Sequence, residues 1–178
     1  MPRLLRVAAC VLVCALGLGS SAQASAAETT GGCAILAWPL EVERGWLGAG
    51  NLESLQSGAV QPAPPQKAFA VELGHAAAVA LPTPPTGKPH GEAKDTYAGF
   101  VALADVAEPG LYQVTLSGPG WIDVIQGGLA LAAQAHTSSA DCPNVRKSVR
   151  FQLAKGRTLL EFSSVPSAAL SFAIRRAD

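Results

Sequence analysis

The sequence is short of charge and of aromatic rings: Asp, Glu, Lys and Arg make up 15% of its 178 residues, and Phe, Trp and Tyr 6%. Thirteen basic side chains against 13 acidic ones leave no net charge. This excludes the long-range field by which a polyanion binder gathers its ligand, and no nucleic-acid partner is expected. A hydrophobic share of 49% excludes a disordered tail. Histidine is scarce, and His75, His90 and His136 form no His-x-His or His-x-x-x-His pair of the kind that nucleates a metal centre. No serine sits in Gly-x-Ser-x-Gly, the strained elbow that exposes a nucleophile. Gly45, Gly48 and Gly50 have the wrong spacing for a dinucleotide fingerprint, and there is no Gly-Lys-Ser/Thr triplet. No cofactor is expected from these residues.

What is present begins with a leader. Arg3 and Arg6 precede an apolar run from Val7 to Leu18, and Ala22-Gln23-Ala24 closes it. That layout predicts a signal peptide over residues 1–24 with cleavage after Ala24, or after Ala26 where the same small residues recur. The run is too short to span a bilayer and no second one follows, so the mature chain is expected to lack a transmembrane segment and to be periplasmic or secreted. Cleavage removes Cys10 and Cys14 and leaves Cys33 and Cys142. Two thiols in an oxidising compartment predict one disulfide, worth roughly 4 to 5 kcal/mol at most by loss of chain entropy in the unfolded state.

From Ala68 onward the residues alternate as in half-buried strands. Phe69, Val71 and Leu73 share a face, Ala76 to Leu81 continues extended, and Pro82 to Asp95 reads as a surface loop. Tyr97 to Leu103 reads as a central strand, while Glu108-Pro109-Gly110 and Gly118-Pro119-Gly120 read as hairpin turns. Strands follow around Tyr112, Val114 and Leu116, and around Ile122 and Val124. Leu129 to Ala133 reads as a short return strand and Gln134 to Lys147 as a polar loop. The last strands lie around Val149, Phe151 and Leu153, Leu160 and Phe162, and Leu170, Phe172 and Ile174. The expectation is an all-β chain, a single jelly-roll-like β-sandwich of about seven or eight antiparallel strands over residues 67–178. Residues 25–66 are expected to be an N-terminal segment and connector, tethered by the disulfide. Ile35 to Leu47 fits either a strand or a helical turn.

Two features suit binding without catalysis. Arg146, Lys147 and Arg150 cluster near Cys142, where cationic side chains could hold a carboxylate, a phosphate or an acidic sugar. Trp121 and Asp123 project on one face of a strand, a stacking ring beside a hydrogen-bonding carboxylate, although a core position for Trp121 is the plainer reading.

Tyr97-Ala-Gly99-Phe100, Pro109-Gly110-Leu-Tyr112-Gln-Val114, Trp121-Ile-Asp123-Val, Ala135-His136, Cys142 and Arg146-Lys147-Ser-Val149-Arg-Phe151 resemble, in that order, a family of small exported proteobacterial proteins. Some members carry the label homogentisate 1,2-dioxygenase. The resemblance covers roughly Ala68 to Ile174. Enzymes of that name hold iron with two histidines and a glutamate, so the label implies a metal-dependent oxygenase, with His90, Glu92 and His136 as the residues available here. A looser similarity, through Gly110-x-Tyr112-x-Val114, is to the β-sandwich domains found C-terminal to secreted peptidases.

The leading expectation is a non-enzymatic exported binding or accessory module, monomeric, whose partner is an unknown small ligand or envelope component. The alternatives are the oxygenase and a purely structural envelope protein.

Overall fold

The computed structural model describes residues 31–88 and 92–177. The leader and His90 lie outside them. A 3-10 turn, Gly32–Ile35, leads to helix α1, Glu41–Leu47. Trp38-Pro39 disfavours helix immediately before it, Glu41 and Glu43 complement the positive amino end, and Arg44 the carboxyl end. The alternation Leu40-Glu41-Val42-Glu43 that also fitted a strand is therefore helical, and it buries the glutamate: Glu43 is fully buried while Val42 stays 46% exposed.

The strands are β1 Glu53–Gln56, β2 Val60–Gln61, β3 Ala68–Glu72, β4 Gly74–His75, β5 Tyr97–Val106, β6 Gly110–Leu116, β7 Trp121–Gln126, β8 Leu129–Ala130, β9 Ala133–Ser138, β10 Lys147–Leu153, β11 Gly156–Val165 and β12 Ala169–Arg176. They form two mixed sheets, β1-β3-β12-β6-β10-β9 and β2-β5-β11-β7-β8, with β4 also on β5. Alternate residues of both sheets enter one core, among them Phe69, Val101, Val114, Val124, Phe162 and Phe172. Phe162 and Phe172 meet at 5.0 Å between ring centroids. Each such side chain contributes roughly 1.5 to 3 kcal/mol by leaving water.

Several expectations are corrected. The sheets are not purely antiparallel, because β1 runs parallel to β3 and β2 parallel to β5. Residues 53–61 add one edge strand to each sheet in turn, and a chain that changes sheets need not fold back on itself as a hairpin. Glu108-Pro109-Gly110 and Gly118-Pro119-Gly120 are corners between sheets, since β5 and β7 lie in one sheet and β6 in the other. Turn chemistry reverses a chain without choosing its partner. The tight hairpin is β7–β8, where Gly127 and Gly128 take φ of 57° and 79°, the left-handed values that suit the strand twist. Ala76 to Leu81 holds a turn and no strand, whereas the supposed polar loop from Gln134 contains β9, an edge strand without large apolar residues.

Cys33 and Cys142 are bonded, pinning the N-terminal segment to the body. Leu40 and Leu47 pack there with Cys142, Val145, Ala68 and Ala173. Beneath α1, Glu43 accepts hydrogen bonds from Arg175 Nε at 2.7 Å and from Gln113 Nε2. Gln113 Oε1 accepts from Arg150 Nε at 3.1 Å, and the Arg150 guanidinium lies 4.2 Å from the Trp38 ring centroid. Among the described residues no helix is long and apolar enough to cross a membrane.

Candidate functional site

Lys147 opens β10, and the alternation that sends Val149, Phe151 and Leu153 into the core aims it toward the opposite sheet at one end of the sandwich. There it meets Trp121, the first residue of β7. Its Nζ stands 4.8 Å from the indole centroid and donates to the Gly120 carbonyl at 3.3 Å. Because β8 pairs with Ile125 and Gln126 at the far end of β7, among the described residues the Trp121 end has a strand partner on one side, β11. Two cavities open at this flank. One, about 270 Å³, is lined by Trp121, Ala133, His136, Ser138, Lys147 and Val149. The other, about 250 Å³, is lined by Pro119, Gly120, Ser138, Arg146, Lys147 and Ser164. Lys147 and its cross-strand partner Ser138 are common to both, so the two form one cleft.

The cleft is cationic. Among the described residues neither Arg146 nor Lys147 makes an ion pair. Burial, and then the charge of Arg146, push the Lys147 ammonium below its ordinary value of 10.5. Among the described residues no carboxylate lines either cavity. Asp123 accepts instead from Trp121 Nε1 at 3.1 Å, from the Thr86 N–H at 3.1 Å and from the Thr86 hydroxyl. Gly87 of the same loop presses on the indole so closely that a Cβ there would stand 2.3 Å from the ring. Trp121 is neither core filler nor an open stacking platform: it lies outside the central cluster, held by Asp123 and Gly87, and supports Lys147.

The basic triple divides. Arg146 and Lys147 face the cleft, while Arg150 belongs to the Gln113 and Trp38 network under α1. His136 is exposed on the cleft wall beside Lys147, whereas Glu92 is exposed elsewhere and pairs with Lys94 at 3.3 Å. Iron ligands would have to gather beside an ammonium, and among the described residues no three His, Cys, Asp or Glu converge. The described residues do not fit an iron centre.

Sequence reasoning missed Ser138 and Ser164, which reach the cleft by strand pairing and, for Ser164 with φ of 52°, through a bulge in β11. It also missed Glu161. That carboxyl is 1% exposed, lies directly opposite Asp123 on β11, and accepts the Thr83 N–H at 3.0 Å through Oε1. Its other oxygen is buried with no partner among the described residues. Burial raises the Glu161 pKa, the Thr83 N–H opposes this, and the nearby Asp123 charge adds to it. The polar position 161 within an alternating strand was the available signal.

Comparisons with protein-family models, with curated proteins and with solved structures find no match.

Proposed function

We propose that the protein is an exported, non-enzymatic binding or accessory module that captures a small ligand through an anionic group, a carboxylate, phosphate or acidic sugar, in the cleft at Lys147. The observation that carries the reading is half-buried Lys147, without a carboxylate partner among the described residues, lining both cavities together with Ser138 and one of them with Arg146. A cation held partly out of water gains more from an anion than an exposed one, and Arg146 and Ser138 supply further donors. We read the sandwich as a jelly roll: β3-β12-β6-β10 facing β5-β11-β7-β8 is the order that two Greek keys generate, which supports an open flank available for ligands.

The test is calorimetric titration of the mature chain with inorganic phosphate, citrate and galacturonate at low ionic strength. Saturable binding by at least one, lost in Lys147→Met and retained in Lys94→Met, supports the reading. If none binds and Lys147→Met melts well below the wild type, Lys147 is a fastener between the sheets and the purely structural role replaces the binding one.

A further inference from the structure

The Cys33–Cys142 bridge borders a separate cavity of about 280 Å³, lined also by Trp38, Leu40, Glu41 and Arg44. Cys142 is only 6% exposed, while Cys33 is half-buried, so Cys33 is the more accessible residue of the two. Arg44, in the last turn of α1, places Nη1 3.2 Å from Cys33 Sγ. Among the described residues this guanidinium has no ion pair. A guanidinium is usually satisfied by carboxylates or carbonyls. A fixed cation against sulfur instead favours thiolate over thiol, and so favours the opened bond over the closed one.

We propose that the bridge is a thiol-exchange site, at which a small thiol entering this cavity modifies Cys33. The thiolate attacks Cys33 Sγ and forms a new S–S bond, the Cys33–Cys142 bond breaks, and its electron pair leaves on Cys142 Sγ. A second small thiolate attacks the small-thiol sulfur of the mixed disulfide, releases a small disulfide, and leaves Cys33 as thiolate beside Arg44. Two small thiols are oxidised and the protein bridge is reduced by two electrons. During attack the negative charge spreads over three sulfurs, and Arg44 stands where it stabilises that charge. Glu41 on the same cavity wall is the opposing charge. Arg44 therefore favours thiols that carry a carboxylate, and Glu41 limits that preference. Exchange leaves α1 seated, because Glu43 stays bonded to Arg175 and Leu40 and Leu47 stay in their cluster.

The experiment exposes the mature chain, under native conditions, to 3-mercaptopropionate and separately to cysteamine. Adducts are located by mass spectrometry after acid quenching, and both rates are referred to a model disulfide. The expected result is an adduct on Cys33 and a several-fold preference for the anionic thiol. Arg44→Gln should remove that preference and slow exchange roughly tenfold, and Arg44→Lys should restore most of it. Should Arg44→Gln fail to fold, Glu41→Gln serves instead and should speed the anionic thiol. Adducts on Cys142, exchange only at the rate of global unfolding, or one anionic-to-cationic ratio in all variants would overturn the proposal.

Discussion

Asp123 and Glu161 stand directly opposite each other on neighbouring strands, and each carboxylate accepts a backbone N–H from the same overlying loop, Asp123 from Thr86 and Glu161 from Thr83. The two acids clamp the proline-rich strap onto the sheet. The clamp has a cost, since one buried oxygen of Glu161 lacks a partner among the described residues.

That cost sets a pH dependence. The unfolded carboxyl titrates near 4.5 and the folded one higher, so within that window the folded chain holds a proton that the unfolded chain has lost. Stability contributed by this group is complete below 4.5 and declines as pH rises through the folded value. Glu161→Gln should abolish the decline and be more stable at pH 7 by about 1 to 2 kcal/mol. Urea unfolding of both proteins from pH 4 to 8 checks this, and parallel profiles would remove Glu161 as the cause.

The strap also depends on Gly87, because no β-carbon fits against Trp121. Gly87→Ala should lift the loop locally, changing Trp121 fluorescence and hydrogen exchange around residues 83–87 while costing the whole domain about 1 kcal/mol. Unchanged exchange there would mean the loop does not rest on the indole.

Beneath α1, removing the Glu43 carboxylate leaves Arg175 and Gln113 without their shared acceptor. Glu43→Ala should destabilise by about 3 kcal/mol or more, and Glu43→Gln by less, because its carbonyl still accepts. A loss near 0.5 kcal/mol in denaturant unfolding would show that the network holds nothing in place.

At the cleft, the lowered pKa of Lys147 has its own consequence. Anion affinity should weaken as pH rises through a range below the ordinary lysine value of 10.5, and Lys147→Arg should keep binding to higher pH. Titrations between pH 7 and 10.5 separate the two proteins. Affinity that falls identically in both would place the titrating group elsewhere.

The long strands were legible because Phe69 and Val71, Tyr112 and Val114, and Phe172 and Ile174 alternate strictly, and only an extended chain turns such residues to one side. Strand partners were not legible, since Pro109 and Pro119 turn the chain equally well within a sheet or between sheets. β9 escaped notice because its Ala, Gln, His, Thr and Ser residues lie at an edge that needs no apolar face. At the site, Lys147, Arg146 and Trp121 could be named as residue types, but Arg146 and Arg150 point to different sides of the body, and His136 reaches Lys147 only through the pairing of β9 with β10.

The two parallel strands at the margins carry a last consequence, for how this molecule avoids its own kind. β3 and β5 hold Phe69, Val71, Val101 and Leu103, and their outer backbone is paired by β1 and β2. β1 offers strangers exposed Glu53, Ser54 and Gln56, and β2 is only two residues long, so neither invites a further strand. Because the Cys33–Cys142 bridge would hold the N-terminal side of a single cut, it takes cuts on both sides of residues 53–61, releasing β1 and β2, to uncover two apolar templates at once. The clipped protein is the form that should polymerise into sheets without end.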